Sequence, residues 1–328
     1  MTPELLGREA ILQALVQWPP ETLLARADAV RARTKGTGVL LRAIIEFSNH
    51  CVRNCMYCGL RRVNSRIERY RMRPGQIVEV ACAAASAGIG TVVLQSGEDP
   101  DYPAEAIAEL VSEIKARAEM KITLSLGERE GWEYALWRRA GADRYLMKHE
   151  TADPELYCAM HPGTTLDDRL NSLRLLKSLG YEIGSGFIVG LPGQTLETLA
   201  ADVALSQDLG VDMCGVGPFV PQADTPLART AKGDVETTLK MIALIRLACP
   251  EANIPATTAL ASLAPADGQR RALEAGANVI MPNFTPDDFR INYKIYDNKT
   301  PVGLQSAKDA IREAHREVVV DGALRPTC

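Results

Sequence analysis

Eight short apolar runs recur along this chain: Leu40 to Phe47, Thr91 to Gln95, Ile122 to Leu126, Arg144 to Met147, Ile183 to Val189, Met213 to Phe219, Ile254 to Ala259 and Asn278 to Pro282. Between them run amphipathic stretches such as Pro74 to Ala87, Leu166 to Leu179, Leu196 to Leu209 and Val235 to Leu247. Apolar runs of that length read as strands buried on both faces, and a 3.6-residue period reads as a helix covering one side of them. Their alternation predicts an α/β fold, a parallel sheet wrapped by helices. Eight such units in 328 residues fit a closed (β/α)8 TIM-type barrel, which takes about 250 residues. The expected organisation is a helical lead-in over 1–36, a barrel over 37–290 and a closing segment over 291–328. No internal repeat or Pro/Gly-rich linker argues for a second domain. In such a barrel the functional site lies beyond the C-terminal ends of the strands.

Cys51, Cys55 and Cys58 follow directly on the first run. Three thiolates this close on one loop can hold three corners of an iron–sulfur cube and leave the fourth iron open. A closed structural site needs four protein ligands, and no second cysteine pair exists: Cys82, Cys158, Cys214, Cys249 and Cys328 are scattered singly. A zinc site completed by His50 or His149 is the plainer alternative. Eight cysteines in a chain of this size read as reduced thiols and cluster ligands rather than a disulfide framework. The net charge of −4 predicts neither a nucleic-acid nor an anionic-membrane partner. With no signal-peptide pattern at Met1 to Leu6 and no long apolar stretch, a cytoplasmic location is expected.

The other strand ends are polar. Thr123 and Ser125 share one face of a strand, and Glu150 offers two acceptor oxygens. Asp99 and Thr151 read equally well as helix N-caps. Arg169 stands in the first turn of a helix, where it can grip a carboxylate bidentately or simply pair with Asp167 or Asp168 on the helix surface. Gly186, Gly190 and Gly193 open a strand end around Ile188 to close approach by a planar ring.

The spacing Cys-x3-Cys-x2-Cys with Tyr57 before the last cysteine resembles the radical S-adenosylmethionine (SAM) superfamily. The runs Leu94 to Pro100 (LQSGEDP), Gly217-Pro218-Phe219 with Asp224 to Leu227 (DTPL), and Ile254 to Thr258 (IPATT) narrow the likeness to the HydE family of FeFe-hydrogenase maturases, over about residues 40 to 297. That resemblance implies a barrel of the radical SAM class, with one 4Fe-4S cluster on Cys51, Cys55 and Cys58. Tyr57, Gly186, Ile188 and Gly190 would meet the adenine, and Ser125, Glu150 and Arg169 would bind SAM. Thr123, Lys148, Met213, Thr257, Thr258, Met281, Tyr293 and Tyr296 would line a cavity for the second substrate. As adjacent strand residues, Thr257 and Thr258 should face opposite sides. The plain reading of Met213 and Met281 is core packing.

The same resemblance implies a radical that attacks a sulfur of a small substrate, a cysteine-ligated iron carbonyl cyanide complex. The implied partners are an electron donor such as ferredoxin or flavodoxin and other hydrogenase maturases. Lys148 stands where the family commonly has arginine, and it lacks the planar fork. Some relatives carry a second cluster on C-terminal cysteines. Only Cys328 lies beyond residue 297, so no second cluster is expected. The alternatives are an enzyme resembling methylornithine synthase, one resembling biotin synthase with Cys214 facing the barrel, and a non-catalytic iron–sulfur carrier.

Overall fold

The computed structural model describes residues 7–320. Its strands are β1 (Gly38–Leu41), β2 (Ala43–Ser48), β3 (Thr91–Ser96), β4 (Lys121–Ser125), β5 (Arg144–Leu146), β6 (Glu182–Val189), β7 (Met213–Pro218), β8 (Val279–Ile280) and β9 (Glu317–Val319). Every pairing between them is parallel. One sheet runs β2-β3-β4-β5-β6-β7 and the other β8-β1-β9. Single bridges carry the ring between them: Met213 with Asn253, Pro255 with Val279, and Ile44 with Asn283.

Three expectations are corrected. The first run is two strands, because the chain changes neighbours at Arg42: β1 pairs with β8 and β9, whereas β2 pairs with β3. The seventh run, Ile254 to Ala259, forms no strand beyond the bridges at 253 and 255. Pro255 has no N–H for a ladder, and the Thr257 hydroxyl accepts from the Leu260 amide to start the helix Thr258–Leu263. Strand β9 was not expected. Its exposed residues show no buried alternation, and only its register on Gly38, Val39 and Leu40 makes it a strand.

The helices Gly7–Gln17 and Pro20–Lys35 precede β1 and pack on Leu196–Leu209 and Val235–Ala248. Residues 1–6 and 321–328, with Cys328, lie outside the described residues.

Strand parity separates two layers. Ala43, Ile45, Phe47, Ile122, Leu124, Tyr145, Ile183, Phe187 and Val216 join the helices in one continuous outer core. The opposite parity, with Glu46, Ser48, Thr123, Ser125, Gly184, Gly186, Gly215 and Gly217, faces the barrel axis. Glycines at four inward positions of β6 and β7 let neighbours approach those strands closely: a Cβ on Gly184 would meet Leu146 and Met213, and one on Gly217 would meet Thr257. The floor is filled by Arg42, whose Nη1 donates to Met213 Sδ (3.2 Å), and by Arg144, which donates to Thr91 Oγ1 (3.2 Å) and pairs with Glu182.

A buried Arg246 fastens the last third of the barrel. Its Nε donates to Gly276 O (2.9 Å), Nη1 to Pro250 O (2.7 Å) and Ala252 O (2.8 Å), and Nη2 to Asn278 Oδ1 (2.9 Å). Arg246→Met would orphan three buried carbonyls at once, while Asn278 Oδ1 would keep only its bond from Ile254 N. The expected loss is about 3–5 kcal/mol of folding stability, read by urea unfolding. A loss under about 1 kcal/mol would show that water replaces the guanidinium there.

Candidate active site

The loop after β2 carries the three cysteines and is tied down at each of them. Val52 N donates to Glu98 O (2.9 Å), Met56 N to Met160 O (2.9 Å), Gly59 N to Ile295 O (3.0 Å), and Arg62 N closes the loop on Arg53 O (2.7 Å). The Arg69 guanidinium donates to the carbonyls of Asn49, Leu60, Arg61 and Asn64, so the irregular backbone keeps its hydrogen bonds. Gly97 lets the end of β3 press against this loop. A Cβ there would lie 2.2 Å from His50 O and 2.7 Å from Cys51 Cβ.

Burial pushes all three thiols up, Cys58 to about 12, and the charge of neighbouring cysteines adds to the rise at Cys55 and Cys58. Thiols held together in so dry a place ionise only with a compensating cation. Among the described residues, no three His, Cys, Asp or Glu side chains converge on a single-ion site. Three thiols on one loop suit a multi-iron cluster with one cysteine per iron. His149 gives the zinc alternative no support: it is wholly buried behind the sheet, against Ser185 Oγ (2.9 Å) and 3.8 Å from Asp202. Cys214 also points outward, its Sγ 3.6 Å from Ser206 Oγ in the helix-packed layer. That removes the barrel-facing sulfur on which the biotin synthase alternative rested.

Beside the cysteines lies an alternating set of four charges. Arg53 binds Glu98 and Glu128, the latter at 3.0 Å. Arg169 meets Glu128 at 2.7 Å, comes within 3.9 Å of Glu98, and donates through Nε to Tyr157 Oη (3.1 Å). Arg169 is only 11% exposed at its side chain and has turned away from Asp167 and Asp168, so the helix-surface reading is wrong. Burial alone would lower its pKa, but Tyr157, Glu128 and Glu98 raise it above the usual value, so the cation is fixed. Asp99 and Thr151 are not N-caps. Asp99 binds Arg71 through both oxygens and accepts from Ser48, and the helix that follows Thr151 is capped by Asp153.

Glu150 stands at the end of the adjoining strand with φ +64°, a left-handed conformation that costs a non-glycine residue about 1 kcal/mol or more. The bonds Glu150 N to Gly186 O (2.9 Å) and Ile188 N to Glu150 O (3.0 Å) hold it there. Lys148 Nζ lies 2.8 Å from its Oε2. Burial pushes this carboxyl up, but Lys148 outweighs it and the net direction is down, so Glu150 is an anion. Tyr57 and Ile188 pack on one apolar patch with Met160, Leu191 and Phe219. Gly186, at φ +146°, leaves no room for a Cβ, which would sit 2.1 Å from Gly215 O. The Gly190 amide donates to the Gln194 side chain (2.6 Å), which in turn donates to Ile188 O (2.8 Å), so that strand edge is already paired.

Ser125 is partly exposed at the mouth, and Thr123 below it has a buried hydroxyl with no hydrogen-bond partner among the described residues. Thr257 faces Gly217 from a helix cap and Thr258 begins that helix, so strand alternation does not govern them. Met281 and Tyr296 are partly exposed. Met213 and Tyr293 are not: Met213 lies on the barrel floor, and Tyr293 packs with Leu60 and Ile67 behind the cysteine loop.

The sequence singled out neither Arg53, Glu98 and Glu128 nor Tyr157 and His161. Glu98 and Glu128 do close the strand-end runs LQSGEDP and TLSLGE, which is the one signal that could have found them. His161 accepts from Tyr57 Oη at Nε2 (2.8 Å), its Nδ1 facing Tyr157 O (3.2 Å), and its ring stacks on Tyr157 at 4.3 Å. Burial pushes His161 down to about 4, so it is neutral at pH 7. Since its folded pKa is below the unfolded 6.5, the unfolded chain binds the proton first, and stability is lost as pH falls from about 6.5 toward 4. His161→Gln is expected to flatten that part of the profile by up to about 1.4 kcal/mol per pH unit. Parallel melting curves of both proteins across that range check it, and identical pH slopes would exclude the effect.

Comparisons with known proteins agree with this geometry. Residues 45–205 match the family model of the Radical SAM superfamily. The chain is 51% identical to the [FeFe] hydrogenase maturase subunit HydE of Thermotoga maritima over 279 residues, covering 85% of this chain and 80% of that protein. It is 33% identical to 3-methylornithine synthase of Methanosarcina acetivorans, covering 83% and 76%. The crystal structure of methylornithine synthase (PylB) superposes with a TM-score of 0.85 at 28% identity, covering 96% of this chain and 94% of that one.

Proposed function

We propose that this chain, which belongs to the HydE family of [FeFe] hydrogenase maturases in the radical SAM superfamily, cleaves SAM reductively and directs the resulting radical at a sulfur of a small substrate in its barrel. The observation that carries the reading is the convergence of three half-buried thiols, a fixed guanidinium and an ionised carboxylate around one barrel mouth. Cys51, Cys55 and Cys58 would hold a 4Fe-4S cluster, which would supply the one electron for reductive cleavage of SAM.

The chain's own residues bind, orient and exclude water. Arg169 is anchored by Tyr157 and Glu128 and presents its remaining N–H groups to the SAM carboxylate. Glu150, kept ionised by Lys148, accepts from the ribose hydroxyls, with Ser125 nearby. In this chain Lys148 serves the glutamate, which explains how a lysine suffices where the family commonly has arginine. Tyr57 and Ile188 flank the adenine, close to Gly186 and Gly190. The second substrate enters the barrel. The unpartnered Thr123 hydroxyl meets it there, and Thr257, Thr258, Met281 and Tyr296 line the walls. Met213 serves as floor and Tyr293 as backing rather than as direct contacts.

The substrate proposed is a sulfur-containing or organometallic molecule such as a cysteine-ligated iron carbonyl cyanide complex. Such a substrate would come from another hydrogenase maturase. The proposal includes a single cluster, a ferredoxin or flavodoxin as electron source, and a cytoplasmic location. Among the described residues no helix is long and apolar enough to cross a membrane.

The test is anaerobic reconstitution, dithionite reduction and incubation with SAM. About four irons per chain, an EPR signal that SAM perturbs, and release of 5'-deoxyadenosine are expected. Bound zinc without SAM cleavage would overturn the reading.

A further inference from the structure

Of the 21 residues from Arg53 to Arg73, seven are arginines and one, Glu68, is acidic. That stretch carries a formal charge of +6 in a chain of net −4, so the rest of the chain carries −10. Several of these arginines are occupied: Arg53 by Glu98 and Glu128, Arg71 by Asp99 and Asp101, and Arg69 by four carbonyls of its own loop.

The others face solvent. Arg62 is exposed, with no carboxylate at ion-pairing distance among the described residues. Arg66 has a 77% exposed side chain and meets Asp224 in solvent, where a pair is worth little. Lys294 is exposed as well, and its carbonyl packs against Gly59, the residue after Cys58.

Two apolar side chains lie within this basic surface. Val52 is 43% exposed and Val63 is 62% exposed. They are neighbours through the loop, because Arg62 N donates to Arg53 O (2.7 Å) and Val63 N to Asn54 Oδ1 (3.2 Å). Exposed apolar side chains beside exposed cations are the make-up of a steered, transient docking face. Its position says what docks. Val52 follows Cys51, so its Cα stands about 3.8 Å from that of a proposed cluster ligand, and a partner touching Val52 docks on the cysteine loop itself.

We propose that the face formed by Val52, Arg62, Val63, Arg66 and Lys294 docks an acidic one-electron carrier protein, a reduced flavoprotein or iron–sulfur protein. This rests on the cluster assignment made above. In each encounter one electron leaves the carrier, which is oxidised by one, and the cluster goes from the 2+ to the 1+ state with no atom transferred. The carrier's acidic surface meets Arg62, Arg66 and Lys294, and the valines supply the contact over the loop.

The test uses the reconstituted protein with oxidised flavodoxin as probe, titrated calorimetrically at low and at high ionic strength. Arg62→Glu with Arg66→Glu is expected to weaken binding at least about tenfold at low ionic strength and far less at high. Arg62→Gln with Arg66→Gln should fall between, which guards against a folding defect in the charge-reversed pair. Optical bleaching of the cluster by flavodoxin hydroquinone should slow in step, while bleaching by dithionite is unchanged. Unchanged binding, or binding to the wild type that ignores salt, overturns the proposal. So does a change only in self-association, which would assign the face to a second copy of the chain. Failure of the radical SAM reading would show separately, as absence of SAM cleavage by the dithionite-reduced wild type.

Discussion

Gly97→Ala is expected to strip the protein of its iron nearly as completely as Cys55→Ala, although residue 97 carries no ligand atom. The end of β3 touches the cysteine loop through that glycine, and an added methyl would lie 2.2 Å from a backbone oxygen and 2.7 Å from Cys51 Cβ. A flexible side chain could step aside, but the peptide of His50 cannot. It is held by its neighbours: Gly97 N donates to Ser48 O (3.1 Å), Val52 N to Glu98 O (2.9 Å), and Asn49 N to Tyr70 O (3.3 Å). Relief requires moving Cys51 outward, at an overpacking cost of about 1–3 kcal/mol. A displacement near 1 Å spoils a three-point cluster site far more than it spoils the fold. Iron analysis after reconstitution should show well under half the wild-type content, and 5'-deoxyadenosine release should fall more than about 100-fold. The melting temperature should change little. Gly75→Ala is the control, since a Cβ there meets nothing within 4 Å, and it should keep full iron and activity. Normal iron in Gly97→Ala would mean that the loop yields more easily than its hydrogen bonds indicate.

Arg169→Gln should leave the cluster in place and fail at the next step. The guanidinium is the charge shared by Glu128, Glu98 and Tyr157. Its removal leaves Arg53 alone against two carboxylates at the mouth where a third, from SAM, is proposed to bind. Removing the protein's half of a desolvated charge pair with a ligand costs about 2–5 kcal/mol of binding, and every 1.4 kcal/mol is tenfold. The expected loss in kcat/KM for SAM is therefore of order 100-fold or more, with normal iron and a reduced EPR spectrum that SAM no longer perturbs. Arg169→Lys should recover only part, since an ammonium cannot face Glu128, Tyr157 and a ligand together. A SAM-perturbed spectrum at wild-type SAM concentrations in Arg169→Gln would remove Arg169 from the binding role.

The two substitutions separate building the cluster site from using it. They also divide along what was legible in the sequence. The spacing of Cys51, Cys55 and Cys58 identified a three-thiol loop by itself, because ligand spacing is a local property. The alternation of apolar runs and helices was equally local, and it placed that loop and the 125, 150 and 169 positions at one end of a barrel.

What depended on distant partners was not legible. The run at Ile254 looked like the others, yet Pro255 and the cap at Thr257 turned it into a bridge and a helix. Cys214 and His149 looked available, and strand parity sent both to the outer layer. Glu98 and Glu128 were unremarkable acids until the fold set them between Arg53 and Arg169. His161 had no pattern of its own, because its partners lie 104 residues earlier and four residues earlier in the chain.

The sequence by itself determined most element types, the three-cysteine loop and the end of the barrel on which that loop lies, since each follows from side-chain period or spacing within a few residues. Only the tertiary structure decided which charges neutralise each other and which strand residues turn inward or outward. Those depend on distances between residues far apart in the chain, and electrostatics and burial are set by such distances rather than by order in the chain.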